Sequence, residues 1–295
     1  MSHDLSSQPY GDGGARPSAL FPRITRTTRG WAAGWNRVGR QTQFYATTVR
    51  SIGDVLVNYR IELVRLLAQM SLGTGALALI GGAVAVVAFL MFASGTLTGQ
   101  QGWATLHQAG VEALLGFLAG YINVRVGAPL ISTVALTATI GAGATAQIGA
   151  MRINEEIDAL EVMGIRSVAY LASTRVLAGL LVVIPLYCVG VIAAFWAGKF
   201  GTTFIYGQST GVYDHYFRTF LNPTDLMWSF LQCVVLAIVI MLVHTYYGYT
   251  ARGGPAGVGE AVGRAVRTSL IVAAFVLVMM SLAVYGQSGN FNFAG

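Results

Sequence analysis

The chain has 295 residues, of which 55% are hydrophobic and only 10% charged, and it carries a net charge of +6; its mean hydropathy is +0.62. A soluble domain devotes about a quarter of its residues to Asp, Glu, Lys and Arg, so this chain lacks the polar groups to cover a globular surface. Its two cysteines, Cys188 and Cys233, lie inside apolar runs, which excludes a disulfide framework or a metal knuckle.

Residues 1–36 are rich in Ser, Gly, Pro and Arg without a period, the pattern of a disordered basic tail. The tail has no early apolar core and so does not read as a signal peptide. Arginines beside a membrane helix are expected to contact anionic lipid heads rather than nucleic acid. From 38 to 70, Val38, Tyr45, Val49, Ile52, Leu56, Tyr59, Leu63, Leu66 and Met70 recur at helical steps, with Arg50, Asp54, Asn58 and Arg65 opposite. This predicts an amphipathic helix lying at a membrane interface.

Apolar runs of spanning length follow at 72–93, 176–198, 226–247 and 268–285. The stretch 109–151 is longer; as one helix it would extend roughly 64 Å. Glu112, Arg125 and the Gly127-Ala-Pro129 sequence predict a division into a re-entrant or interfacial piece, 109–126, and a span, 129–151. Charge placement sets the count. With five spans, fifteen of the eighteen basic residues share the side of the N-terminus, and only Arg125, Lys199 and Arg218 lie opposite. The positive-inside rule then puts the N-terminus in the cytoplasm and the C-terminal tail, 288–295, outside.

One loop is dense in chemistry. In Ile153-Asn-Glu-Glu-Ile-Asp-Ala-Leu-Glu-Val-Met-Gly164, four carboxylates fall within seven positions. Asn154 suits an N-cap, Glu155 and Glu156 suit a first turn, and Gly164 suits a C-terminal stop. Ile153, Ile157 and Leu160 share one side, so a short amphipathic helix over 154–163 is expected. Composition alone leaves two readings open, a solvated loop helix and a docking helix whose apolar ridge and acidic rim fit a partner. A metal site lacks a nearby His or Cys.

The run Gly149-Ala-Met-Arg-Ile-Asn-Glu-Glu-Ile-Asp-Ala-Leu-Glu-Val-Met-Gly-Ile165 closely resembles the signature of the MlaE/YrbE permease family. Arg175-Val-Leu-Ala178 and Gly253-Gly-Pro-Ala-Gly-Val-Gly-Glu-Ala-Val262 resemble its later motifs, in matching order. The resemblance covers about 40–287. It implies an all-α integral membrane protein, with an interfacial N-terminal helix, a permease domain over 72–287 with five spans, and a short cytoplasmic coupling helix. Thr139 and Gln147 stand where the family often has Arg and Glu, and Thr174 replaces a proline. Loss of a charge pair together avoids stranding one charge in low dielectric. With Tyr213-Asp-His-Tyr216 and Tyr246-Tyr-Gly-Tyr249, these departures resemble the B-type YrbE of actinobacterial MCE systems.

That resemblance implies a lipid transporter subunit in a bacterial plasma membrane, powered by a separate cytoplasmic ABC ATPase dimer. It also implies a heterodimer with an A-type paralogue and MCE-domain proteins on the outer face. The chain itself has no phosphate-loop motif around its single Lys199, so ATP and magnesium are expected in the partner and no cofactor here. The coupling residues implied are Asn154, Glu155, Glu156, Asp158, Leu160, Glu161, Met163 and Gly164. Val84, Val87, Phe89, Leu90 and Met91 are implied as lipid-pathway residues by position. Ala138, Gly141, Ala142, Thr145, Ala146 and Gly149 form a small-residue stripe suited to helix packing.

Three further features have modest expected roles. Gly257-Val-Gly-Glu-Ala-Val-Gly263 has no preceding strand and reads as a turn feeding the last helix, not a dinucleotide loop. His244 is expected to be neutral and bonded to a neighbouring helix. Asp214 and His215 are expected to pack an outer loop or touch an MCE protein, since no nucleophile accompanies them. A secondary carrier would place paired charges or broken helices at the midplane, and a membrane-embedded enzyme would need convergent acid, base and nucleophile groups.

Overall fold

The computed structural model describes residues 38–72 and 82–286. The tails expected at 1–36 and 288–295, and most of the run 72–81, lie outside them. The chain divides into two compact units, Met1–Gln43 and Phe44–Gly295. In the first, residues 38–43 are described, as helix; everything below concerns the second.

Every regular element among the described residues is helical. Three short ones come first: α1 (44–50), α2 (Ile52–Asn58) and α3 (Arg60–Leu72). The single amphipathic helix expected over 38–70 is therefore interrupted at Ser51 and Tyr59. The inward face is Thr48, Ile52, Val55, Tyr59, Leu63, Leu66 and Met70, packed in part beside Leu177 and Ala178, so the helical period is kept across both interruptions. Of the expected apolar stripe, Val49 and Leu56 instead face outward.

Among the described residues, five long helices are apolar enough to cross a membrane: α4 (Gly82–Gln108), α5 (Glu112–Ile153), α7 (Val168–Ile205), α9 (Pro223–Tyr249) and α10 (Gly254–Tyr285). The number agrees with the charge count, but the boundaries differ. The helix α4 runs fifteen residues past the expected end at 93. Its polar residues bond within the helix, as Thr98 Oγ1 donates to Ser94 O (2.9 Å) and Thr105 Oγ1 to Gln101 O (2.8 Å). Hydroxyls satisfied in this way do not terminate a helix.

Nor does the chain divide at Gly127-Ala-Pro129. Helix α5 is continuous and 42 residues long, with a wide π-turn at Asn123–Gly127 immediately before the proline. Pro129 supplies no N–H, and the wider turn accommodates its ring. The carbonyl of Val124 is taken instead by Ser229 Oγ of α9 at 2.7 Å, the usual remedy where no water is available. Two short helices complete the described residues, α6 (Glu156–Val162) and α8 (Thr210–Phe220). The surplus length of α5 is covered by α8: Tyr213 is buried, and a side chain at Gly116 would meet Tyr213 O at 2.3 Å.

The most extensive helix pair is α4 with α7. A Cβ on Gly95 would lie 2.2 Å from Ala194 O, and one on Gly190 would lie 3.0 Å from Met91 Cγ. Small residues thus let the two backbones approach across the middle of the bundle. The Gly257–Gly263 run is not a turn. It lies within α10, whose start is set by Gly253 in the left-handed region at φ 91°.

Candidate functional site: a tethered surface helix between two spans

Residues 154–165 connect α5 to α7 at the end of the bundle where α9 finishes and α10 begins. Asn154 does not cap the short helix. Its N–H still bonds to Ala150 O (3.1 Å), so it closes α5. The reversal falls on Glu155, at φ 60° the one non-glycine residue with positive φ among the described residues. Only Glu156 and Asp158 then occupy the first turn of α6. The far end is as expected: Gly164, at φ 78°, lets its N–H reach Glu161 O and that of Ile165 reach Leu160 O, both at 3.0 Å. Those two bonds are a Schellman stop, for which glycine is suited.

The two faces of α6 differ from the expected arrangement. Ile157 is fully buried in a cluster with Ile148 of α5 and Leu171 of α7, against which Leu160, Met151, Tyr170 and Tyr249 pack. The apolar ridge is therefore used within this chain. Facing outward are Val162, 89% exposed, Met163, 66% exposed, and the carboxylates of Glu155 and Glu156. Helical spacing identified the ridge but could not say which side of the helix met its own bundle.

Two of the four acids are tethers. Arg152 Nη1 pairs with Asp158 Oδ1 at 2.7 Å, tying α6 to the end of α5. Glu161 Oε1 accepts from Ser167 Oγ at 2.5 Å and from the Tyr249 hydroxyl at 3.1 Å. First Ser167 and then Tyr249 hold the Glu161 carboxyl below the usual carboxylate range. Arg166 pairs with Asp54 of α2 at 3.0 Å, and Ser173 Oγ donates to Thr48 O of α1 at 2.8 Å. Among the described residues, no group of three or more His, Cys, Asp or Glu is placed to hold a metal ion. What this arrangement can do is present a rigid, acid-rimmed helix to another molecule while both its ends are fastened to the spans.

The model of the family described as permease MlaE matches residues 73–283. This chain belongs to the MlaE permease family. A probable ABC transporter permease protein of Rickettsia felis is 26% identical over 251 residues, covering 83% of this chain and 93% of that protein. The intermembrane phospholipid transport system permease protein MlaE of Haemophilus influenzae is 23% identical over 180 residues, 60% of this chain and 69% of that protein. The chloroplastic protein trigalactosyldiacylglycerol 1 of Arabidopsis thaliana is 29% identical over 154 residues, half of this chain and 43% of that one. With five apolar helices, this MlaE-family permease is a multi-pass integral membrane protein.

The other expected site residues are dispersed. Val87 and Met91 are buried against Gly190 of α7. Val84 packs on the core edge, and Phe89 is exposed. Only Leu90 lines the large groove of about 740 Å³ between α4 and α5, with Ser94, Leu97, Thr98, Leu118 and Ile131. Thr139 and Gln147 share a smaller cavity of about 350 Å³ with Gln69, Met70 and Ala138.

The small-residue stripe separates into two faces. Gly141, Thr145 and Gly149 are buried within this chain, against His244 and Val258. Ala138 and Ala146 are exposed and Ala142 is half-buried. His244 is buried between three helices, with Nδ1 2.7 Å from Thr145 Oγ1 and Nε2 3.1 Å from Ser269 Oγ. Asp214 pairs with Lys199 at 2.8 Å. Sequence reasoning also left Arg125 without a partner. It pairs with Asp225 at 2.8 Å beneath the rings of Tyr121 and Tyr285, 4.5 and 4.4 Å away. Tyr249, Ser167 and Arg152 were missed as tethers of α6, although Arg152 lies within the Gly149–Ile165 run and Tyr249 within the tyrosine run 246–249.

Proposed function

We propose that this chain is the B-type permease subunit of an MCE-type ABC transporter that moves lipids such as fatty acids, mycolic-type lipids or sterols inward across a bacterial plasma membrane. A separate ABC ATPase dimer, which binds ATP and magnesium, docks on α6. An A-type paralogue completes the pathway, and MCE-domain proteins deliver lipid on the outer face. The N-terminus and α6 lie in the cytoplasm, and the C-terminus lies outside.

The geometry of α6 carries this reading. Its apolar underside and its Asp158 and Glu161 carboxylates are committed to the permease, whereas Glu155, Glu156, Val162 and Met163 face away from it. Two exposed carboxylates, one of which accepts a long bond from Asn154 Nδ2 at 3.4 Å, beside two exposed apolar side chains suit a basic-rimmed, partly apolar cleft. Each well-formed charge-assisted bond contributes roughly 1.5–3 kcal/mol. The exposed alanines 138 and 146 of α5 offer a close-packing surface to a second permease chain.

The test is charge reversal at the exposed pair. Glu155→Lys with Glu156→Lys is expected to release the ATPase from a complex purified from the native membrane, while the permease remains folded. Unchanged co-purification of the ATPase would overturn the proposal. Cysteine labelling at Met163 in intact cells tests the orientation, which fails if an impermeant reagent reaches it from outside.

A further inference from the structure

The residue at the centre of the α6 tethers is one that the docking surface does not contain. Tyr249 is the last residue of α9, 85 residues beyond the end of the acidic loop. Its hydroxyl lies 3.1 Å from Glu161 Oε1 and 2.8 Å from Ser167 Oγ. Its ring stands 5.3 Å from that of Phe44 in α1, and the Arg152 guanidinium lies 5.8 Å above it. One side chain thus touches α1, the end of α5, α6 and the start of α7. Phe44 in turn meets Tyr246, one turn earlier on α9, at 5.6 Å.

This placement matters because of connectivity. Helix α6 is joined covalently only to α5 and α7. A push on α6 reaches those two spans through the backbone, whereas it must reach α9 and the N-terminal helices through side chains. The underside offers greasy contact, which permits sliding and rolling. The hydrogen bonds to Glu161 do not, because a hydroxyl–carboxylate bond weakens steeply with misalignment. The Asp158 tether near one end and the Glu161 tether near the other prevent α6 from pivoting independently.

We infer that Tyr249 is a positioning residue, which locks the coupling helix to α9 through Glu161 and so passes the stroke of the docked motor to the half of the bundle that α6 does not adjoin in sequence. This rests on the proposed docking of an ATPase at α6. The stroke then moves α5, α7, α9 and α1 together, and lipid movement stays tied to each ATP consumed.

The experiment uses the whole transporter complex in proteoliposomes, with lipid transfer and ATP hydrolysis measured side by side. Tyr249→Phe removes only the hydroxyl and keeps the ring against Phe44. It is expected to lower lipid moved per ATP hydrolysed at least fivefold. Glu161→Ala, which removes the acceptor of both hydroxyls, is expected to lower the ratio at least as far, and the Tyr249→Phe/Glu161→Ala double variant to be no worse than Glu161→Ala alone, since Tyr249 then has no carboxylate left to hold. A Tyr249→Phe complex with the wild-type ratio of transport to hydrolysis would overturn the inference. Losses that multiply in the double variant would also overturn it, as would a melting temperature lowered in proportion to the loss of transport, which marks a merely structural role. If the unaltered permease brings down no ATPase at all, it is the docking proposal that has failed.

Discussion

The seam between α4 and α7 and the fastening of α6 are both tight, yet they are made of opposite materials. At the seam, Gly95 lies against the backbone of Ala194 and Gly190 against Val87 and Met91, with no charge involved. At α6, Arg152 and Asp158 supply an ion pair, and Glu161, Ser167 and Tyr249 supply shared hydroxyls, around the buried Ile157. The contrast follows from the surroundings. Lipid tails are as apolar as leucine, so mid-membrane helices gain by close contact rather than by expelling water. At the membrane surface the acids stay hydrated, and directional bonds can fix a helix without a large desolvation cost.

Four measurements would break or sharpen that comparison. The largest effect is expected at the seam: Gly95→Leu should abolish recovery of folded permease in mild detergent, because its Cβ alone would sit 2.2 Å from Ala194 O. A monodisperse variant with native melting would show that the helices can separate freely.

Next comes the ion pair within the bundle. Arg125→Met should destabilise the permease by about 3–5 kcal/mol, since it strands Asp225; both side chains are about four-fifths covered, at 19% and 18% exposure. Thermal or chemical unfolding of Arg125→Met with Asp225→Leu should recover part of that loss. A double variant no better than the single one would mean that the cation–π stack on Tyr121 and Tyr285, rather than charge balance, holds this corner.

A smaller effect is expected from pH at α6. The Glu161 carboxyl is held below its ordinary range by Ser167 and Tyr249. Its tether is therefore fully present above the unfolded carboxylate pKa and is lost as pH falls through the lower folded value. Amide exchange within α6, corrected for intrinsic rates, should accelerate on acidification through the carboxylate range. Glu161→Gln should remove most of that dependence. The smallest change is expected for Glu155→Lys/Glu156→Lys, whose exposed side chains should leave melting within about 0.5 kcal/mol of the parent. A large loss of stability would mean that this rim also holds the bundle.

Much of the architecture was legible beforehand because it rests on composition. Five spans follow from apolar run length and the distribution of arginines, and the α6 stop follows from Gly164. What failed did so for specific reasons. Pro129 read as a break, but a π-turn and Ser229 absorb it. The polar residues from Ser94 to Gln101 read as a span's end, but the threonine hydroxyls among them bond back to their own helix. That Val87 and Met91, among the pathway candidates, pack against Gly190 was not readable from hydropathy. At the candidate site the acids were evident, but their division into two tethers to the spans and two outward-facing groups was not.

The one-dimensional chain settled its membrane class, its number of crossings and the place of an acidic helix between two of them, because hydrophobic length and charge are local properties that need no partner to be counted. Which face of that helix turns inward, which acids face outward, and that a tyrosine at the end of α9 grips a carboxylate 88 positions earlier were decided only by the packed bundle. Such contacts depend on where distant segments come to rest, and no residue carries that information by itself.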